Sequence, residues 1–255
     1  RFLRTFLFPL TFKTLYRKAD IFKTNQMNGS WVPAMAAVLF QKPLVVRCGF
    51  EMLHNLVREE KRLLQLLMKT ILGYLVEFFA YGVAKKIVVS NSGSRRFISR
   101  FFPFKKKIVL IGNYIDTDLF SRKKPKNKIK ENSVLFIGRL NRIKNLRNLI
   151  KSLAGTGLAL DIIGKGEERE KLVKIAKKLN VNVNFRGVIK NNLLGEEINR
   201  YQVVVLPSIF ENNPKVLLEA MSCERIVIGS DVDGINEIIT TETNGMLCRL
   251  DAHSI

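Results

Sequence analysis

The chain has 255 residues, 47% of them hydrophobic, enough to bury a full core and suited to one large or two modest domains. Cys48, Cys223 and Cys248 lie far apart, no CxxC occurs and only two histidines are present; this argues against a disulfide framework or a structural zinc site and suits a reducing compartment. The net charge is +21, unevenly spread: residues 1–127 hold 24 Lys and Arg against 7 Asp and Glu, whereas residues 128–255 hold 19 against 15. An anionic partner is therefore expected for the first half only, either a membrane surface or a polyanionic acceptor. The plainer reading is a Lys-rich soluble surface. Nucleic acid is not expected, because the basic residues show no interleaved aromatics and no binding motif.

The chain begins on Arg1, and short apolar runs then alternate with helical patterns, the signature of βαβ units and parallel sheets. Strands are expected at 20–24, 43–47, 86–90 and 108–112, with helices near 31–40, 56–82 and 92–101. The segment 63–84 is apolar, but Lys69 and Glu77 fall inside it, so it is read as a helix packed on a domain rather than a membrane span. The polar stretch "SRKKPKNKIKENS" (121–133) has the composition of a linker. Domains are accordingly expected at 1–127 and 128–255. A second series of strands follows at 133–138, 158–164, 181–187, 202–208, 225–230 and 245–249. Helices near 145–153, 167–179, 193–199, 214–222 and 234–240 separate them, giving a doubly wound sheet. The first half carries only about four strands. The expected fold is thus α/β, with two Rossmann-like parallel-sheet domains facing a cleft and the first of them incomplete.

The motifs of the second half sit just after expected strands, where ligands bind in such sheets. "FIGRLNRIKN" (136–145) offers Gly138, Arg139 and Lys144, two cations beside backbone N–H groups that suit a diphosphate; two ordinary surface basics would read the same. "IIGKGEEREKL" (162–172) puts Gly164 and Gly166 between strand and helix, as a ligand loop or a tight turn. "FRGVIKNN" (185–192) brings Val188 to a strand end, where a flat base can lie against backbone. In "IFENNPKVLLEA" (209–220), Glu211 precedes a helix whose first position suits Pro214, and Glu219 lies inside it. The N–H groups of Asn212, Asn213, Lys215 and Val216 point at the same end. At ~1.5 Å rise per residue the two carboxylates stand on the order of 10 Å apart along the axis. That is too far for an acid–base pair on one bond, but suits the two ends of a nucleotide sugar, each carboxylate accepting from hydroxyls.

Taken in order, "GRLNRIKN", "IIGKGEEREKL", "FRGVI", "PSIFENNPKVLLEAM", "VIGSDVDGINEII" and "NGMLC" resemble the donor-binding domain of retaining GT-B glycosyltransferases, the "glycosyl transferases group 1" of glycosyltransferase family 4. The likeness runs from about residue 86, and "VLIGNYIDTDLF" (109–120) resembles the crossing into that group's C-terminal domain. It implies that Arg139 and Lys144 neutralise the donor diphosphate, Glu219 binds the ribose and Glu211 contacts the transferred sugar. It also implies a UDP- or GDP-sugar donor, no metal, no other cofactor and a glycan or lipid-linked acceptor; the charge of the first half, not the resemblance, adds the expectation that the protein is peripheral on the anionic cytoplasmic membrane face. Asp116–Asp118 and Asp231–Asp233 imitate the metal-binding DxD of another glycosyltransferase fold, but lie in the domain crossing and in a small-residue turn; neither is expected to hold a metal. Two departures stand out. The first strands of the acceptor domain and the closing helices are expected to be missing. Where relatives carry acceptor-side histidines this chain has Asn25, Gln26, Arg47 and Cys48, with His54 near by. A nucleotide-sugar epimerase of the same fold and a non-catalytic nucleotide-sugar binder are the alternative readings.

Overall fold

A computed structural model describes residues 8–48, 63–125, 128–240 and 243–255. The backbone divides into two compact units, Arg1–Gly112 and Asn113–Ile255. The division falls fifteen residues before the expected one at 127/128, and the stretch read as a linker is not one. Phe120 is buried in the second unit's core. The Asn199 side chain accepts from the Lys123 N–H (3.0 Å) and donates to the Ser121 carbonyl (2.9 Å), fastening this polar stretch to the second unit. Polar composition concealed a segment that one asparagine ties to the second unit through the Ser121 carbonyl and the Lys123 N–H.

The first unit holds helices α1 (Phe8–Thr11), α2 (Lys13–Lys18), α3 (Trp31–Phe40), α4 (Leu63–Val83) and α5 (Ser92–Phe101). Its strands β1 (Phe22–Lys23), β2 (Leu44–Cys48), β3 (Lys86–Val89) and β4 (Ile108–Leu110) form one parallel sheet in that order. β2 buries Leu44, Val46 and Cys48, and β3 buries Ile87 and Val89, against Ala34, Ala37, Ala80 and Tyr81 of the covering helices. α5 starts cleanly because the Asn91 side chain, at the N-cap, accepts from the Ser94 N–H at 2.6 Å. Residues 56–62 of the helix expected at 56–82, and His54, lie outside the described residues.

The second unit contains β5 (Lys130–Ile137), α6 (Leu146–Ser152), β6 (Ala159–Ile163), α7 (Arg169–Lys178), β7 (Val183–Gly187), α8 (Asn191–Ile198), β8 (Tyr201–Leu206), α9 (Lys215–Ser222), β9 (Ile226–Ser230) and β10 (Met246–Cys248). All six strands run parallel in the order β10-β9-β8-β5-β6-β7. This is the doubly wound arrangement, in which order reverses between the first and fourth strands of the domain, β5 and β8. The apolar ends of β5 and β8 (Val134–Phe136, Val204–Leu206) lie at the centre of the core. The helix expected at 234–240 does not form. Gly234 enters it at φ +83°, and the only helical-spacing bonds, Asn236 to Val232 and Ile239 to Ile235, are not consecutive. Ile235 and Ile239 are nevertheless buried, so the apolar spacing was real while the backbone is a series of turns.

Candidate active site

Loops leaving β5 and β8 meet at the point where the strand order reverses, and the Ile209 N–H donates to the Ile143 carbonyl at 2.7 Å. After β5 the backbone is held by the β6 loop: Gly138 N–H donates to Ile163 (2.9 Å) and Leu140 N–H to Lys165 (3.0 Å). Gly164 permits that approach. A Cβ there would stand 1.8 Å from the Gly138 carbonyl oxygen, and one on Gly166 would stand 2.4 Å from that of Leu140. These two glycines, read from sequence as ligand contacts or a turn, have a packing role that fixes the course of the Arg139 loop. Arg139 is exposed, and no described carboxylate pairs with it. A 3-10 turn, Arg142–Lys144, then brings Lys144 back toward β8, ending at Asn145 in the left-handed region with φ 55°.

Lys144 Nζ donates to Glu211 Oε1 in a close ion pair, and Ser208 Oγ donates to the same oxygen at 2.8 Å. Both charged side chains are largely shielded, 19% exposed for Lys144 and 14% for Glu211, so their attraction is weakly screened. Ser208 is fully buried, and its carbonyl accepts from Ser230 Oγ on β9. Beneath the loop, Gly234 lies so close that a Cβ would stand 2.3 Å from the Asn212 oxygen and 2.4 Å from the Glu211 oxygen. Asn213 is fixed from the other side: the Asn113 N–H donates to its Oδ1 at 2.8 Å, and Asn113 Nδ2 to its carbonyl at 2.5 Å. The Glu211–Asn213 turn therefore has a defined path although it contains no regular structure.

Pro214 occupies the N-cap rather than the first helical position, and α9 begins at Lys215. Proline provides no capping acceptor, which leaves the first N–H groups of α9 available to an anion. Lys215 Nζ stands 5.4 Å over the Tyr114 ring. Glu219, one turn further on, is buried and accepts no hydrogen bond from the described residues. Burial raises its carboxyl above the ordinary range, opposed by the Lys215 charge. Val188 is exposed immediately after β7, whose last residue, Gly187, accepts from Gly164 N–H at 2.7 Å. Thus the carboxyl ends of the parallel strands carry Gly138, Arg139 and Lys144 on the β5 loop, Val188 on the β7 loop, and Glu211 through Glu219 on the β8 loop and α9.

The two DxD look-alikes have local duties. Asp116 Oδ1 accepts from the N–H groups of Asp118 (3.0 Å) and Leu119 (3.1 Å), closing a turn, and Asp231 Oδ1 accepts from Asn236 Nδ2 at 3.0 Å. Ser208, Asn113 and Gly234 were not singled out from sequence as site residues. Ser208 stands three before Glu211 at a strand end, a legible signal; Asn113 meets Asn213 from 100 positions away, which no local pattern reveals.

A doubly wound domain with cations and carboxylates on the loops at its strand-order reversal has the α/β architecture in which ligands bind beyond the carboxyl ends of the strands. Residues 118–252 match the family described as "Glycosyl transferases group 1", and the chain belongs to that family. Among curated relatives, the amylovoran biosynthesis glycosyltransferase AmsD of Erwinia amylovora is 29% identical over 158 residues, 57% of this chain and 43% of that protein. A Campylobacter jejuni protein is 28% identical over 182 residues, 67% of this chain and 48% of its own. It is named as an N-acetylgalactosamine-N,N'-diacetylbacillosaminyl-diphospho-undecaprenol 4-alpha-N-acetylgalactosaminyltransferase. The chain spans less than half the length of these two relatives. Among solved structures, Anabaena HepE in complex with UDP and glucose superposes with a TM-score of 0.82 at 18% identity, covering 94% of this chain and 67% of that one. Sucrose-phosphate synthase from Thermosynechococcus elongatus gives 0.81 at 22% identity, covering 97% and 65%. The fold is thereby that of the GT-B glycosyltransferases, with two parallel-sheet domains.

Proposed function

We propose that this chain is the donor-binding half, with part of the acceptor half, of a retaining glycosyltransferase. The enzyme moves a sugar from a nucleoside-diphosphate sugar to an envelope polysaccharide, lipopolysaccharide or lipid-linked glycan. The observation that carries the reading is the Lys144–Glu211 pair at the strand-order reversal, beside the exposed Arg139 and the uncapped start of α9. In this reading Arg139, Lys144 and the α9 N–H groups receive the donor diphosphate. As the anomeric carbon becomes oxocarbenium-like, charge grows on the leaving diphosphate, and fixed cations stabilise it more in the transition state than in the ground state. Lys144 already neutralises Glu211, so donor phosphate and sugar would share an existing ion pair rather than meet bare charges. Glu211 then accepts from a sugar hydroxyl and Glu219 from the ribose, the latter carboxylate being buried and without a hydrogen-bond donor of its own. The departing phosphate takes the acceptor hydroxyl's proton on the same face, and no protein nucleophile is required.

The donor is a UDP- or GDP-sugar in this reading, with the two cations meeting the diphosphate in place of a metal. The acceptor side faces an anionic membrane on its cytoplasmic side, a reading supported by 24 basic against 7 acidic residues in 1–127. Among the described residues no helix is long and apolar enough to cross a membrane. The test is a thermal-shift panel of UDP-, GDP- and ADP-sugars, followed by radiolabelled transfer to polyprenyl-diphosphate glycans with and without EDTA. One nucleotide class should stabilise the protein, and transfer should survive chelation. Epimerised donor formed without acceptor would replace the reading by the epimerase alternative.

A further inference from the structure

Helix α4 is apolar on the side that faces away from its own domain. Gly73, Glu77, Ala80 and Tyr81 are buried and α3 packs against the helix. On the other side Met68, Ile71, Leu72, Leu75, Phe78 and Phe79 are exposed, from 67% at Met68 to 39% at Phe79. At 3.6 residues per turn these six fall within an arc of about 120°, so they form one continuous stripe. The stripe continues onto the end of α5 and the residues after it: the Tyr74 hydroxyl donates to the Phe101 carbonyl (3.3 Å), Tyr74 stacks on Phe102, and Phe78 packs on Phe104 at 5.2 Å between centroids. Phe101 is itself half exposed. A surface helix of a water-soluble domain puts charged residues in this position, and an apolar patch of this extent marks a contact surface.

The rim identifies what the contact is. Lys69, Arg100, Lys105 and Lys106 are exposed around the stripe. Lys107 is directed inward instead, donating to the Tyr81 and Gly82 carbonyls at 3.2 and 2.5 Å and so capping the C-terminal end of α4. The helix end is thus fixed by the protein, while Arg100, Lys105 and Lys106 remain exposed to solvent. We propose that α4 is an interfacial membrane helix whose outer stripe, with Phe101, enters the headgroup–acyl boundary of an anionic bilayer while Arg100, Lys105 and Lys106 meet lipid phosphates. An apolar face edged by Lys and Arg is the pattern of helices that lie in the interface plane, their binding drawn from both buried apolar area and charge. This deepens the membrane reading above and rests on it for the choice of a bilayer as partner, but not on any donor chemistry.

The experiment uses the full chain with phosphatidylglycerol–phosphatidylcholine vesicles and no nucleotide sugar, so its outcome is separate from that of the transfer assay. Binding should weaken with salt yet persist in about 1 M salt, where the Debye length is ~3 Å. The combined variant Ile71→Asn, Leu75→Asn, Phe79→Asn should lower partitioning by at least about tenfold. Because these side chains are exposed, its thermal midpoint should match the parent's. In a second measurement, Phe79→Trp emission should shift to the blue on vesicles and be quenched by acyl-chain bromolipid, neither effect being present in the parent with Trp31 alone. Complete loss of binding at high salt, parental binding by the combined variant, or an unquenched Phe79→Trp signal would overturn the proposal. So would a lipid-free dimer, seen by light scattering, that the combined variant dissociates.

Discussion

Glu211 and Lys144 are 67 positions apart in sequence and are brought together only because β5 and β8 are neighbours in the sheet. Their proposed roles separate by kinetics. Arg139→Ala and Lys144→Ala each remove a partner of the developing diphosphate charge, and turnover in a transfer assay should fall by a factor corresponding to roughly 2–4 kcal/mol. Lys144→Ala also strips Glu211 of its ion-pair partner and leaves it only Ser208, so this variant should be the more damaged of the two. Glu211→Gln should act mainly on kcat, because its sugar contacts tighten as the ring flattens, whereas Glu219→Gln should act mainly on the donor KM. Equal, mild effects would return both to ordinary helix-end glutamates. Glu219 makes a second prediction independent of activity. Burial raises its carboxyl in the folded protein, so the folded state binds this proton more tightly than the unfolded chain. The ionised group therefore costs stability above the raised value and costs none below the ordinary glutamate range of about 4.3. Glu219→Gln should accordingly be more stable at neutral pH, by on the order of 1 kcal/mol, and the advantage should vanish as pH falls toward 4. A melting series across pH reads it directly; a Gln variant less stable at neutral pH would mean that the carboxylate is stabilised by its surroundings.

Loops rather than helices carry the precision of the site, and glycine sets their spacing. Gly234 sits at φ +83° with its α-carbon against the Glu211 and Asn212 carbonyls. Gly234→Ala should therefore destabilise the protein by about 1–3 kcal/mol and lower activity beyond that loss, because the turn carrying Glu211 must move. Unchanged activity and melting would show that the turn can yield. The strands were legible from sequence because they end in short apolar runs buried on both faces, as at Ile162–Ile163 and Val204–Leu206, and the motifs follow those ends. The helix at 234–240 was misread because Ile235 and Ile239 keep helical spacing while Gly234 breaks the backbone that would use it. The contacts that fix the site, Gly164 on Gly138, Gly234 on Asn212 and Asn113 on Asn213, join distant positions through backbone atoms. Composition and periodicity carry no trace of such contacts; only the resemblance brought "DVDGIN" to notice at all.

The position of the unit boundary has a consequence for the whole chain. The polar stretch read as a linker begins at Ser121, directly after Phe120, which is only 2% exposed within the second core. Ser222 Oγ donates to the Phe120 carbonyl, Arg122 pairs with Glu224 at 2.7 Å, and Asn113 holds the turn that carries Glu211. The Arg122 pair is exposed and adds little; the buried phenylalanine and the Asn199 bonds dominate. A fragment 113–255 should therefore fold cooperatively and bind the nucleotide that the full chain binds. A fragment 128–255 loses the Phe120 side chain, a change comparable to the about 3–5 kcal/mol of a core Phe→Ala truncation. It also leaves Asn199 buried without the Ser121 and Lys123 backbone partners. Its melting midpoint should fall by roughly 10 °C or more, and its nucleotide affinity should fall further, since Asn213 loses Asn113. Within the longer fragment, Phe120→Ala should reproduce most of the stability loss and little of the affinity loss, while Asn113→Ala should do the reverse. Calorimetry and nucleotide titration on the four proteins separate these terms, and equal melting of the two fragments would place the boundary back at residue 127.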